Sequence, residues 1–142
     1  MAIYHLSVKI IGRSSGRSAV AAAAYRSGEC ITNEWDGVTH DFRKKNWIEF
    51  TEILLPDHAP ENFKDRKTLW NAVEAAEKSK SAQLAREFEL ALPKELPYER
   101  QVELIEKFVK EELVSKGMCV DLAIHNPPKT NDRHQPIDAY GK

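Results

Sequence analysis

The sequence has few cysteines, no long apolar run and no excess of charge of either sign. Its 142 residues include two cysteines, Cys30 and Cys119, which stand 89 positions apart. Neither has a second cysteine or a histidine at the spacing of a zinc ribbon, so we exclude a disulfide framework and expect free thiols in a reducing compartment. The longest apolar run is seven residues, 19–25. A membrane-spanning helix needs roughly 18 or more, so none is predicted.

The rest of the composition is that of an ordinary globular domain. Hydrophobic residues make up 42% of the chain, and 21 basic against 22 acidic side chains leave a net charge of -1. This balance argues against wholesale disorder and against strongly basic chromatin-type binding. Residues 1–47 nevertheless carry 7 basic and 4 acidic side chains, a net charge of +3. The excess predicts a phosphate-containing partner there, unless it only decorates a solvated surface. The N-terminus has no signal-peptide pattern, and we expect a cytoplasmic protein without a membrane partner.

Hydrophobic periodicity predicts strands that alternate with helices. The strands are expected at 3–11, 47–55, 83–92 and 118–125, and the helices at 17–26, 61–79 and 98–115. Residues 29–46 have a mixed pattern that predicts an exposed connection with room for a short strand. We therefore predict one α+β domain over residues 1–126, with an antiparallel β-sheet and helices packed mainly on one face. Residues 127–142 contain three prolines and no periodicity, which predicts a Pro-rich flexible tail or a truncated loop.

One face of the predicted sheet collects polar side chains. If Leu6, Val8 and the apolar residues of the later strands face the helices, the opposite face carries His5, Ser7, Lys9, Glu87, Glu89, Asp121 and His125. Imidazole and carboxylate groups are ligand types for Mn²⁺, Mg²⁺ or Zn²⁺, and such an ion could polarise a phosphoryl oxygen. The alternative for each histidine is an exposed or hydrogen-bonded side chain.

Tyr25 is the single large residue at the end of an alanine-rich helix. Arg13, Arg17 and Arg26 lie near it in the sequence, and the planar guanidinium group suits phosphate. These residues are compatible with attack by the phenol on a phosphodiester and with DNA binding by the arginines. The alternative is an aromatic anchor that buries its ring.

Several motifs resemble one family of DNA-processing enzymes. The opening Met-Ala-Ile-Tyr-His-Leu, then Ser18-Ala19 and Ala23-Ala24-Tyr25-Arg26, closely resemble the start of the MobA/MobL relaxases, the plasmid-mobilisation nickases with an HUH-endonuclease-like fold. Later stretches also resemble this family, namely Glu-Ile-Leu-Leu-Pro at 52–56, the strand at 85–93 and Leu-Ala-Ile-His at 122–125. The resemblance covers residues 1–126 in the right order.

The resemblance implies a mechanism and assigns residues to it. Tyr25 is implied as the nucleophile that attacks single-stranded DNA at an origin of transfer and leaves a 5′-phosphotyrosyl link with a free 3′-hydroxyl. His125 is implied as the first of three histidines that hold a divalent metal ion, Mn²⁺ or Mg²⁺. Glu87 matches an acidic residue of the central strand that orients a ligand or assists proton transfer. Accessory proteins of a relaxosome are implied as further partners.

This chain departs from the family pattern in one respect. The second and third metal histidines of the family form a His-x-His pair after the first, and this sequence has no such pair. His134, its only later histidine, lies in the Pro-rich tail. His5 aligns with the family's opening motif, and a metal role for it is our own hypothesis. We therefore expect an N-terminal fragment of a relaxase domain, incomplete at its C-terminus.

Two other functions remain open from the sequence. The first is a non-catalytic module that binds single-stranded nucleic acid, or an inactive relaxase fragment, in which Tyr25 only packs. The second is a rolling-circle replication initiator, but there the tyrosine usually follows the metal strand, whereas Tyr25 precedes it. Trp35 and Trp47 could stack on bases in any of these, although core packing is the alternative.

Overall fold

The computed structural model describes residues 6–126, and within them the chain is an α+β domain. The strands are β1 (Leu6–Gly12), β2 (Cys30–Thr32), β3 (Thr39–Asp41), β4 (Ile48–Leu54), β5 (Gln83–Leu90) and β6 (Val120–His125). The helices are α1 (Ala19–Ser27), α2 (Arg66–Ala76) and α3 (Tyr98–Glu112). The predicted order of elements is confirmed, and the connection at 29–46 contains the β2–β3 hairpin. The predicted tail at 127–142, which includes His134, and His5 lie outside the described residues.

Helix α1 ends just before Gly28, as its sequence predicts, but it begins at Ala19, two residues later than predicted. The Ser18 side chain accepts a hydrogen bond from the Ala21 amide at 3.1 Å and so caps the first turn. Gly28 ends the helix with a φ of 71°, a left-handed conformation that favours glycine. The buried side of the helix consists of small residues, Ala19, Val20, Ala23 and Ala24. These side chains let the helix backbone lie close to the strands beneath it.

The strands form antiparallel pairs and not the single hydrogen-bonded sheet that we predicted. β1 pairs with β5, β4 with β6 and β2 with β3, and within residues 6–126 no pair is hydrogen-bonded to another. The register places Lys9 opposite Glu87 in the first pair and Phe50 opposite Ile124 in the second. Each of β5 and β6 therefore has a partner on one edge only in the described part of the chain.

A gap separates the β1–β5 pair from the β4–β6 pair. It has a volume of about 550 Å³ and is lined by consecutive residues of both strands, 85–88 of β5 and 118–123 in and before β6. Successive side chains of a strand point to opposite faces, so a cavity on one face would be lined by every second residue. Because consecutive residues line this gap, it lies at the edges of the strands and not on one face. Helix α3 borders it on one side and α1 and α2 border it on the other. The prediction of one sheet was wrong for the described residues because nothing among them fills this position.

The apolar residues of β1 are not covered as predicted. Leu6, Val8 and Ile10 were expected to face the helices, but they are 54%, 51% and 48% exposed. The residue of this strand that is buried is Ile11, which points the opposite way and packs with Ala19 and Leu84. Helix α3 packs its apolar stripe on β4 and β6 instead, in a core of Leu54, Ile105, Val109, Leu122 and Ile124.

A buried carboxylate holds the start of α1 against α2. Glu74 of α2 is 2% exposed, and its Oε1 accepts hydrogen bonds from the Ala19 amide at 2.8 Å and from the Ser18 hydroxyl at 3.1 Å. Its Oε2 forms an ion pair with Arg13 at 3.0 Å. One side chain therefore satisfies a free amide of the helix terminus and neutralises a neighbouring guanidinium.

We predict that Glu74→Ala lowers the free energy of unfolding by about 3 kcal/mol, because it leaves the partly buried Arg13 and the α1 terminus without their acceptor. Urea denaturation of the variant and the wild type measures the difference. The matched control is Glu77→Ala, which removes an exposed side chain in the same segment but keeps the backbone oxygen that accepts from Arg13. A loss for Glu74→Ala no larger than for the control would contradict this role.

Candidate functional site

The C-terminal turn of α1 brings together three of the residues predicted from the sequence. Arg26 donates through Nε to Glu87 Oε2 at 3.0 Å, which connects α1 to β5. The backbone oxygen of Arg26 lies 2.8 Å from His125 Nε2, which connects α1 to β6. Tyr25 is the residue before Arg26, so its ring lies at the same end of the helix. The structure thus gathers Tyr25, Glu87 and His125 around one helical turn.

Glu87 is held by two arginines. Its side chain is 8% exposed, and it forms ion pairs with Arg26 and with Arg17, the latter at 2.6 Å. Burial alone would raise the pKa of Glu87, but the hydrogen bonds and charges of Arg26 and Arg17 outweigh it and leave the pKa below its ordinary value. Glu87 is therefore an ionised acceptor at neutral pH. This geometry favours an orienting role and gives no support to proton transfer by Glu87.

The polar face of the strands was expected to lie opposite the helices, but the part of it that carries Glu87 and Asp121 is covered, whereas Lys9 and Glu89 are exposed. Helices α1 and α2 lie against the covered part, where Arg26 of α1 pairs with Glu87 and Arg66 of α2 pairs with Asp121. Asp121 of β6 accepts from Arg66 Nε at 2.7 Å and from Trp70 Nε1 at 2.8 Å. Glu29, in the connection between α1 and β2, forms an ion pair with the same Arg66. Because these carboxylates form ion pairs with arginines, a helix can cover them without burying an unpaired charge.

His125 is placed as a single imidazole in an apolar and cationic setting. Its ring makes an edge contact with the Trp47 ring, with 5.2 Å between centroids. Burial lowers the pKa of His125, so the ring is neutral near pH 7. If Nε2 donates its hydrogen to the Arg26 carbonyl, Nδ1 keeps a lone pair that is available to a ligand.

The described residues do not complete a metal site. Within residues 6–126 no group of three or more histidine, cysteine, aspartate or glutamate side chains could hold an ion. The nearby carboxylates Glu87 and Asp121 already accept from arginines. Among the described residues His125 is thus a ligand-type side chain with no further metal ligands grouped around it, and its predicted metal role stays a prediction.

The Tyr25 ring packs against residues 42–47, a segment that follows the β2–β3 hairpin and that we call the strap. It meets Phe42 edge-on, with 5.2 Å between ring centroids. Lys45 Nζ lies 2.7 Å from the centroid of the Tyr25 ring and donates to the Tyr25 carbonyl at 2.7 Å. A cleft of about 420 Å³ runs beside the ring, with Arg17, Arg26 and Glu87 among its lining residues. The half-buried phenol is therefore held in a fixed orientation next to a polar cleft.

The three arginines predicted to bind DNA do not share one environment. Arg17 and Arg26 line the cleft beside Tyr25. Arg13 instead forms the ion pair with Glu74, and its guanidinium stacks on the Trp35 ring at 3.9 Å. The geometry places Arg13 in the scaffold at the start of α1, and it is not among the residues that line the cleft.

Sequence reasoning missed Lys45. It is the last member of the basic run Arg43-Lys44-Lys45, in which nothing distinguishes one cation from the next. The available signal was its position between Phe42 and Trp47, since basic residues that alternate with aromatic ones favour contacts between cation and ring. Its Nζ lies 5.3 Å from the Phe42 centroid and 4.8 Å from the Trp47 centroid.

Comparison with known proteins agrees with the site's sequence motifs. A model of the MobA/MobL family matches residues 17–137. The mobilization protein MobL of Acidithiobacillus ferridurans is 43% identical over 133 residues, which are 94% of this chain and 34% of that protein. The probable mobilization protein MobA of Bifidobacterium longum is 36% identical over 137 residues, which are 96% of this chain and 24% of that protein.

A solved structure shares the fold. It is described as the molecular basis of vancomycin resistance transfer in Staphylococcus aureus, and it superposes with a TM-score of 0.83 at 32% identity. The match covers 95% of this chain and 75% of that chain, which confirms the α+β fold that the resemblance predicted. The chain spans about a third or less of the length of the mobilization proteins it matches. On the family model and on these relatives, the chain belongs to the MobA/MobL family.

Proposed function

We propose that this chain is the N-terminal part of a relaxase that nicks single-stranded DNA at an origin of transfer, with Tyr25 as its nucleophile. The observation that carries the proposal is that the Tyr25 ring lies beside a cleft lined by Arg17 and Arg26. The next residue, Arg26, contacts His125 through its backbone carbonyl. Names such as mobilization protein and, for a Salmonella typhimurium relative at 32% identity, 43 kDa relaxation protein support the same activity.

The proposed step is a transesterification at one phosphodiester. The phenolic oxygen of Tyr25 forms a bond to phosphorus, and the bond from phosphorus to the 3′ oxygen breaks. The phenol loses its proton and the departing 3′ oxygen gains one, so the strand ends in a free 3′-hydroxyl. The 5′ phosphate remains linked to Tyr25, and the 3′-hydroxyl can reverse the reaction, because one phosphate ester replaces another.

In this proposal His125 contributes one ligand to a divalent ion whose other ligands come from outside residues 6–126. Such an ion would polarise the phosphoryl oxygen. The hydrogen bond of Nε2 to the Arg26 carbonyl would fix the ring so that Nδ1 faces the ion. The gap between β5 and β6 offers a place for a further strand of the same domain, with Glu87 of β5 and Asp121 of β6 among the residues that line it. The reaction belongs in the cytoplasm, where accessory proteins of a relaxosome are expected partners.

A non-catalytic DNA-binding module is the second candidate. The observation in its favour is that the described residues hold one metal-ligand histidine and no complete site. In that case Tyr25 serves only as an aromatic anchor for the strap at 42–47, and binding depends on backbone phosphates.

We predict that Tyr25→Phe abolishes covalent attachment to DNA in the complete gene product and leaves DNA binding nearly unchanged, because only the nucleophilic oxygen is lost. Intact mass spectrometry after incubation with Mn²⁺ and single-stranded DNA from the plasmid's own origin region measures the adduct. Tyr98→Phe is the matched control, since the Tyr98 hydroxyl lies in an exposed position on α3. An adduct that persists in Tyr25→Phe would rule out the assignment, and none in the wild type would favour the second candidate.

We predict that His125→Ala weakens Mn²⁺ binding by the complete gene product by about tenfold or more, because one ligand is removed from the proposed site. Titration calorimetry measures the affinity without any catalytic readout. His58→Ala, at an exposed histidine, is the control. Equal affinities for His125→Ala and the wild type would remove His125 from the metal site.

A further inference from the structure

Lys45 carries a positive charge beside Tyr25 that is not paired with an acidic side chain within residues 6–126. Its ammonium contacts a carbonyl oxygen and the rings of Tyr25, Phe42 and Trp47, all of them uncharged. Arg17 and Arg26, by contrast, already share the Glu87 carboxylate. Of the cations around the Tyr25 ring, Lys45 is thus the one whose charge has only neutral described partners.

This charge is held at an energetic cost. Burial and then the charge of Arg26 lower the pKa of Lys45 to about 8, so the ammonium is destabilised but remains the main form at pH 7. Bringing an anion to this point would relieve both effects. The electrostatics therefore favour a negatively charged ligand in contact with Lys45.

The geometry leaves Lys45 free to bind such a ligand. An ammonium group has three N–H donors, and the described hydrogen bond to the Tyr25 carbonyl uses one of them. Its remaining described contacts are with aromatic rings, whose attraction for a cation is weaker than that of an anionic oxygen. Because Nζ lies 2.7 Å above the Tyr25 ring, a phosphate that approaches the phenolic oxygen is also within reach of Lys45.

We infer that Lys45 is a phosphate-binding residue, which contacts the backbone phosphate that a DNA strand presents to Tyr25. The choice of a phosphodiester as the anion rests on the proposed function. The arginines beside Tyr25 then act mainly through Glu87 to hold α1 on β5, while Lys45 supplies the charge that meets the substrate.

The test compares lysine variants in binding a short oligothymidylate strand, because phosphate contacts do not depend on base sequence. Lys45→Met removes the charge at similar length, Lys45→Arg restores a cation, and Lys44→Met removes an exposed neighbouring charge as the control. Fluorescence anisotropy across a range of salt concentrations gives affinity and salt dependence. Thermal unfolding of each variant checks that the fold is intact.

We expect Lys45→Met to weaken binding at low salt by about tenfold, as for the loss of a hydrogen bond between charged groups. The slope of log affinity against log salt should fall by about 0.7, the value for one phosphate contact on a single strand. Lys45→Arg should recover most of the affinity, and Lys44→Met should change it little. Equal effects of Lys45→Met and Lys44→Met, or no binding by the wild type at low salt, would overturn the inference.

The pH dependence gives a second measurement. An anion stabilises the ammonium form, so wild-type affinity should decline as the pH rises through about 8, where Lys45 loses its proton. The Lys45→Arg variant should show no decline there. Other charged or titratable groups around Tyr25 are unchanged in both proteins, namely Arg17, Arg26, Asp36, His40, Glu87, Glu89 and His125. Identical pH profiles for the two proteins would contradict the assignment.

The outcome separates this inference from the proposed function. A covalent adduct on Tyr25 together with ordinary binding by Lys45→Met would leave the relaxase proposal intact and remove Lys45 from it. A selective loss of binding in Lys45→Met without any adduct would retain the phosphate contact and favour the non-catalytic module.

Discussion

Arg26 is the residue through which α1 connects the two strand pairs. Its guanidinium binds Glu87 of β5, and its backbone carbonyl contacts His125 of β6. Within the described residues these strands are not hydrogen-bonded to each other. One helical turn therefore contacts both Glu87 and His125, and Tyr25 is carried by the same turn.

This connection requires the composition of α1. A helix can lie close to a polar strand face only if its own buried side chains are small and the charges beneath it are neutralised. Ala23 and Ala24 meet the first condition, and the ion pairs of Glu87 with Arg17 and Arg26 meet the second. The acidic residues of β5 therefore neutralise Arg17 and Arg26, so these two of the seven basic residues in the first third of the chain have a structural role that needs no ligand.

Most of the elements could be predicted from the sequence because each has a local cause. Gly28 ends α1, and the alternation of apolar residues in 83–90 and 120–125 gives β5 and β6. Which strand edges meet depends on contacts distant in the chain, so the gap between the pairs and the exposure of Leu6 and Val8 were not foreseen. Arg13 illustrates the same limit, since its partner Glu74 lies 61 positions later.

The candidate site also combines features with a local cause in the sequence and features that depend on contacts distant in the chain. Tyr25 and His125 could be named from motifs, but the role of each neighbouring cation depends on which acceptors surround it in three dimensions. Arg26 has carboxylates within reach, and Lys45 has only a carbonyl and aromatic rings. Charge alone in a sequence therefore does not distinguish a cation that holds the scaffold from one that is poised for a ligand. The two are distinguished by whether an acidic side chain already neutralises the cation. By that criterion Lys45, not the arginines, is the cation beside Tyr25 that is best suited to bind a phosphate.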